Sequence, residues 1–364
     1  MTDITQQRVL REQRVLSGMR PTGRLHLGNY MGALYNWVRL QHQYNCYFFI
    51  ADLHALTTDY ANPGDLREKS RQVALDFLSA GLDPEQCTIF KQSSVLQHGE
   101  LNTLLANITP LSWLERVPTY KDQQEQLREK DLNTFGFLGY PLLQTADILL
   151  YKPAFVPVGQ DQVSHVELTR EIARRFNQLY SSARTPPVVQ ASSDKELIKA
   201  EVSENLLELE ILPEPKVLLT PSPKLPGLDG RKMSKSYGNT IELSEEPESV
   251  RKKLKTMVTD PARVRRTDPG NPDVCPVGDL HKVFSTPETL ARVYDGCRSA
   301  SIGCIECKGW AADSILREIE PIADRRRTYE AQPDLVLQIL EAGGNRARTQ
   351  AETTMVQVRA AMGF

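Results

Sequence analysis

The stretch VLSGMRPTGRLHLGNYMGALYNWVRLQHQYNCYFFIA (15–51) decides the fold. Val15, Leu16 and Ser17 read as a short buried strand, and Gly18, Pro21 and Gly23 break the chain into a loop. Over 25–41, Leu27, Met31, Leu34, Tyr35 and Val38 recur at helical spacing. CYFFIA (46–51) is then a continuous apolar run, the mark of a parallel strand covered on both faces. Strand, loop, helix and strand in this order make one unit of a parallel sheet.

The pattern repeats outward from there. A helix is predicted over 65–80 with its stop at Gly81, and a strand over 87–90. Helical segments follow at 101–107, 120–131 and 140–151, then a strand at 155–158 and a helix at 161–180. Such alternation predicts an α/β fold, a doubly wound parallel sheet of Rossmann-like type. Beyond Leu243 helices take over, at 245–257, 287–299, 310–330, 333–342 and 345–362, with an irregular loop at 259–276. The chain therefore divides into a flexible lead-in (1–14), an α/β domain (15–240) and an all-helical domain (241–364).

Bulk properties narrow the function. The 364 residues are 40% hydrophobic and 25% charged, which suits a folded chain and not a disordered one. A net charge of −2 excludes a surface basic all over, so any nucleic-acid contact must use local patches. No run of 18 apolar residues suggests a membrane span, and the polar start lacks the apolar core of a signal peptide, so the expected compartment is the cytoplasm. A disulfide framework is not expected from the six cysteines in that compartment.

Two short motifs carry the chemistry. Pro21-Thr22-Gly23-Arg24-Leu25-His26-Leu27-Gly28-Asn29, which ends in the tetrapeptide His26-Leu27-Gly28-Asn29, sits where the first strand gives way to the first helix, at the edge of a parallel sheet where ligands bind. Gly28 permits close approach of a nucleotide, His26 and Asn29 can donate to phosphate or ribose, and the helix N-terminus favours an anion. Alone, this tetrapeptide is better explained as a capped helix start. Lys232-Met233-Ser234-Lys235-Ser236 follows Gly227, Asp229, Gly230 and Arg231. Two lysines and two hydroxyls on a glycine-flanked loop suit closure over a polyphosphate, where point charges stabilise a leaving pyrophosphate. The two motifs together, in this order, favour function over an exposed basic turn.

The pair resembles the HIGH and KMSKS signatures of class I aminoacyl-tRNA synthetases, and more narrowly those of bacterial tryptophanyl-tRNA synthetases. SGMRPTGRLHLGNY (17–30), FIADLHALT (49–57), YPLLQTADILLY (140–151), VPVGQDQVSHVELTREIARRFN (156–177), GRKMSKSYGN (230–239) and TDPARVRRTDPGNP (259–272) carry the resemblance over most of the chain. It implies activation of L-tryptophan with Mg-ATP to tryptophanyl-adenylate and pyrophosphate, then transfer to tRNA(Trp), with no covalent enzyme intermediate. His26, Asn29, Lys232 and Lys235 are the catalytic candidates. ATP is expected against Arg20, Pro21, Thr22, Gly28, Asn29, Gly159, Gln160, Asp161, Leu225 and the loop from Lys232 through Met233, Ser234 and Lys235 to Ser236. The resemblance also implies a homodimer and an anticodon-reading helical domain, in which Lys252, Lys253, Lys255, Arg263, Arg265 and Arg266 form basic patches.

The amino-acid pocket has its own reading. Tyr140, Gln144 and Asp147 share one helix face among apolar neighbours. A buried aspartate can accept from an indole N–H, and a site so built rejects a ring lacking a donor. The resemblance gives that role to Asp147 and places Tyr140 and Gln162 near the amino group; His54 is expected to frame the pocket or to pack in the core. His42, His98, His165 and His281 are assigned to structure. Gln144 stands where some family members carry methionine, and the Tyr-x3-Gln-x2-Asp pattern is similar to that of tyrosyl-tRNA synthetases. That leaves tyrosine as the rival substrate. A tRNA-independent nucleotidyltransferase or a binding-only paralogue are the other readings.

Cys275, Cys297, Cys304 and Cys307 are separated by 21, 6 and 2 intervening residues. Four thiolates suit a [4Fe–4S] cluster or zinc, and some family members hold such a cluster; four reduced thiols are the plain alternative.

Overall fold

The structure is a computed structural model that describes residues 10–117, 132–181, 210–219 and 224–364. The helix predicted over 120–131 and most of the 1–14 lead-in lie outside the described residues. Among the described residues, five parallel strands form one sheet: β1 (Arg14–Met19), β2 (Asn45–Ile50), β3 (Cys87–Lys91), β4 (Phe155–Val158) and β5 (Lys216–Leu219). Their order is β3-β2-β1-β4-β5. The chain winds outward from β1 on one side and returns to β4 on the other, so a crevice opens at the carboxyl ends of β1 and β4. The doubly wound α/β fold is as expected. β5 had no clear signal in the sequence.

Between β1 and β2 runs α1, in three parts: Leu27–Asn29, a π-helical stretch Tyr30–Leu34, and Tyr35–Leu40. Then come α2 (Asp52–Asp59), α3 (Leu66–Ala80), α4 (Gln97–Ala106), α5 (Leu111–Glu115), α6 (Phe135–Leu138), α7 (Tyr140–Tyr151) and α8 (Val163–Tyr180). α3 stops at Gly81, whose φ of 112° suits a residue without Cβ. Alternate residues of β2 enter two separate cores. Cys46, Phe48 and Ile50 face α1 and α3; Tyr47 and Phe49 face α4, α7 and α8.

The later helices are α9 (Pro247–Thr256), α10 (Pro276–Phe284), α11 (Pro287–Arg298), α12 (Cys304–Glu330) and α13 (Pro333–Met362). Three expectations need correction. α10 has no counterpart among the predicted helices: the irregular loop was expected to end at 276, where Pro276 in fact opens a helix in its first turn. α12 begins at Cys304 and not at 310, so both cysteines of the C-x2-C unit are helical.

The segments 333–342 and 345–362 are one helix. Gly343 and Gly344 do not end it; they let it press on the sheet edge. A Cβ on Gly343 would stand 1.8 Å from the Ile89 carbonyl oxygen. Val336 and Leu340 of α13 join the first core, and Ala347, Ala351 and Met355 join the second. α13 thus crosses edge strand β3 and covers it. Helices from beyond residue 240 therefore contribute to both cores.

Candidate active site

The first motif is built as a capped helix start. His26 has extended backbone, its Nδ1 accepts the Gly28 N–H at 3.1 Å, and Asn29 Oδ1 accepts the His26 N–H at 3.2 Å. Since Nδ1 is an acceptor, the proton of the neutral ring is assigned to Nε2, which remains a donor. Burial, then the charges of Lys235 and Lys232, push His26 down to about 4, so it is neutral near pH 7. A Cβ at Gly28 would lie 2.9 Å from the His26 ring, which is why glycine sits there.

The second motif lies against the first. Lys235 Nζ donates to the Thr22 carbonyl at 2.6 Å across 213 residues of sequence. Beyond the loop the chain pairs with the first motif: Leu27 N–H reaches the Ile241 carbonyl at 2.9 Å, and Leu243 N–H the Leu25 carbonyl at 3.0 Å. Met233 is buried, and its N–H donates to the Leu225 carbonyl at 3.0 Å. Lys232 and Ser236 are exposed, and Ser234 is half-buried.

Asn239 braces this loop from within. Its Oδ1 accepts the Ser234 N–H at 2.8 Å, while Nδ2 donates to Asp229 at 2.7 Å and to the Lys232 carbonyl at 3.2 Å. Sequence reading gave Asn239 no role, because a loop asparagine looks like any other turn residue.

A cavity of about 210 Å³ opens in the crevice between β1 and β4. Arg20, His54, Tyr140, Gln144, Asp147, Gly159 and Gln162 line it, together with apolar Trp37, Phe49 and Ile148. All five predicted amino-acid-pocket residues thus meet in one place, beside predicted ATP residues Arg20 and Gly159. Arg20 donates to the Thr58 hydroxyl at 2.5 Å. Gln160 and Asp161 belong to a 3-10 turn between β4 and α8.

Asp147 is the most constrained group in the cavity wall. Its Oδ1 takes Gln92 Nε2 at 2.7 Å and His98 Nδ1 at 2.6 Å, and its Oδ2 takes His54 Nε2 at 2.7 Å. Burial alone would raise its pKa, but His54 and His98 more than offset that and hold it at about 2. Oδ2 retains a lone pair for one further donor.

His98, expected to be structural, belongs to this network, and His165 bonds another residue of the cavity wall. His98 bridges Asp147 to the Tyr151 hydroxyl at 2.9 Å, and His165 Nδ1 pairs with Gln144 Oε1 at 2.8 Å. Only folding brings them there: His98 lies 49 residues from Asp147 in sequence.

The late cysteines gather at one end of the helical part. Cys307 is pushed up to about 12 by burial and then by Cys275, Cys297 and Cys304, so the four thiols feel one another. Arg263 Nη1 approaches Cys297 Sγ at 3.7 Å, and His281 Nε2 lies 3.4 Å from Cys307 Sγ. Among the described residues no group of three or more His, Cys, Asp or Glu side chains is arranged to hold a metal ion. Nor is any helix among them long and apolar enough to cross a membrane.

A family model described as tRNA synthetases class I (W and Y) matches residues 8–318. A tryptophan–tRNA ligase of Ralstonia nicotianae is 51% identical, over 97% of this chain and 98% of that protein. One from Thermotoga maritima is 48% identical, over 96% and 98%. Among solved structures, a tryptophanyl-tRNA synthetase from Campylobacter jejuni complexed with ADP and tryptophan aligns with a TM-score of 0.80 at 29% identity, covering 96% of this chain and 100% of that one.

Proposed function

The chain belongs to the class I tRNA synthetases for tryptophan and tyrosine, and we propose the following division of labour among its residues. Its activity is that of a tryptophan–tRNA ligase, an ATP-using enzyme that forms tryptophanyl-adenylate and passes the amino acid to a tRNA. The observation that carries the residue assignment is the bond from Lys235 to the Thr22 carbonyl, which closes the lysine loop onto the first motif.

In this reading the nucleotide lies between the start of α1 and the lysine loop. The His26 Nε2–H, Asn29, Lys232 and Lys235 face the phosphates. As the tryptophan carboxylate attacks the α-phosphorus and pyrophosphate leaves, negative charge builds on oxygens that these donors already face. His26 acts as a neutral donor, because its depressed pKa leaves no proton to give up near pH 7. Arg20, Pro21, Thr22 and Gly28 complete the phosphate side, with Met233, Ser234 and Ser236 on the loop. Gly159, Gln160 and Asp161 hold the ribose, and the Leu225 backbone holds the adenine. Mg²⁺ accompanies the nucleotide.

Tryptophan fills the 210 Å³ cavity. The remaining lone pair of Asp147 accepts the indole N–H, His54 frames the ring, and Tyr140, Gln144 and Gln162 receive the amino-acid end. A carboxylate held ionised by two histidines discriminates against side chains without a donor. ATP–pyrophosphate exchange on the purified protein tests the reading. Tryptophan should drive exchange and tyrosine should not; the reverse preference would overturn the pocket assignment.

The helical part from 241 onward is proposed to read the anticodon through its basic loop. Arg263 anchors that loop on the Ile302 carbonyl at 2.6 Å and leaves Arg265 and Arg266 exposed. The enzyme is proposed to work as a cytoplasmic homodimer. Cys275, Cys297, Cys304 and Cys307 are proposed to seat a structural [4Fe–4S] cluster or zinc ion. The electrostatic influence of the other three thiols on Cys307 and the cations Arg263 and Lys308 beside them speak for this. Metal analysis of the protein and of its four-serine variant tests it: equal metal content would remove the site.

A further inference from the structure

The backbone just before His26 is held on two sides. On one side Leu25 and Leu27 pair with Leu243 and Ile241, the strand-like segment that follows the lysine loop. A regular antiparallel pair would exchange two bonds, but here Leu25 only accepts from Leu243 and gives its own N–H to another partner. That partner is Asp76 of α3, with Oδ2 at 2.6 Å. Asp76 is fully buried, and its other oxygen is ion-paired to Arg326 of α12, itself 2% exposed. Arg326 in turn bonds the Gln72 side chain and Glu330. A second bond, from the Tyr30 hydroxyl to Glu318 at 2.7 Å, ties α12 to α1.

A buried ion pair is seldom more stabilising than apolar side chains of the same size, and its best-attested use is to fix one arrangement over others. What is fixed here is the peptide adjoining His26. We propose that Asp76 is a positioning residue for tryptophan activation: its carboxylate, oriented by Arg326, sets where Leu25 and therefore the His26 ring stand relative to the phosphates. Asp76 itself touches no substrate. Its charge also reaches Lys235, so one buried carboxylate serves both halves of the phosphate site.

The inference rests on the activation reading above, and the unaltered protein in the same assay separates the two. Two double variants of the full chain are compared by tryptophan-dependent exchange, each checked by thermal unfolding. Asp76→Leu with Arg326→Met removes the buried charges and the acceptor for Leu25. Asp76→Asn with Arg326→Gln removes the charges and keeps an oxygen for Leu25. The apolar pair should lose about tenfold or more in kcat, with the KM for tryptophan within about twofold of the unaltered protein. The polar pair should recover most of that loss. Equal kcat in the two pairs, or a loss falling on the tryptophan KM, would overturn the proposal. If the apolar pair does not fold, Asp76→Asn against Asp76→Ala reads the same ratio.

Discussion

His26 and Asp147 are both buried titratable groups, and their surroundings drive both pKa values down for different reasons. For His26, burial comes first and the two loop lysines add to it. Between pH 6.5 and 4 the unfolded chain takes a proton that the folded chain refuses. The His26 contribution is therefore fully present above pH 6.5 and falls away as pH drops to about 4. His26→Asn, which keeps an oxygen to cap Gly28, should lose less thermal stability across that interval than the unaltered protein; equal slopes would contradict the assignment. For Asp147, two histidines overcome the burial cost and keep the carboxylate ionised. A hydrogen bond to a charged acceptor contributes roughly 1.5–3 kcal/mol. Asp147→Asn should therefore raise the tryptophan KM about ten- to hundredfold in exchange assays. An unchanged KM would mean that the indole N–H finds its acceptor elsewhere.

The elements differ in how plainly the sequence announces them. α7 and β4 match the residue ranges predicted from periodicity, because both are locally unambiguous apolar runs. The two lysine-loop and α1-start motifs were legible as well, since each is a short contiguous string. What stayed hidden was whatever depends on tertiary approach. Gln92, His98 and His165 carry no local sign of a pocket, and Asp76 looks like one charge on an amphipathic helix. Nor does a Gly-Gly pair tell whether a helix ends there or needs room. In α13 it needs room, with the Ile89 carbonyl occupying the space a side chain would take. Gly343→Ala should accordingly cost about 1–3 kcal/mol through overpacking at edge strand β3. Chemical denaturation would show this as a lower midpoint with an unchanged slope. A neutral result would mean that α13 does not press on the strand.

At the scale of the whole molecule, the sheet places the proposed amino-acid cavity and the proposed phosphate site at the same carboxyl edge. α12 and α13 run from the cysteine-bearing end back over that sheet, and α12 grips the first motif at Leu25, through Asp76, and at Tyr30. The 263–266 loop concentrates three arginines, so a net charge of −2 leaves room for the proposed tRNA contact there. The central claim is narrower than the architecture: the phosphates are held between the start of α1 and the lysine loop. Single-turnover measurement of tryptophanyl-adenylate formation with Lys232→Ala and Lys235→Ala tests it most directly. The account predicts that each variant forms adenylate about 10²–10³ times more slowly while tryptophan binding stays the same. Adenylate formation at the unaltered rate in Lys235→Ala would contradict it.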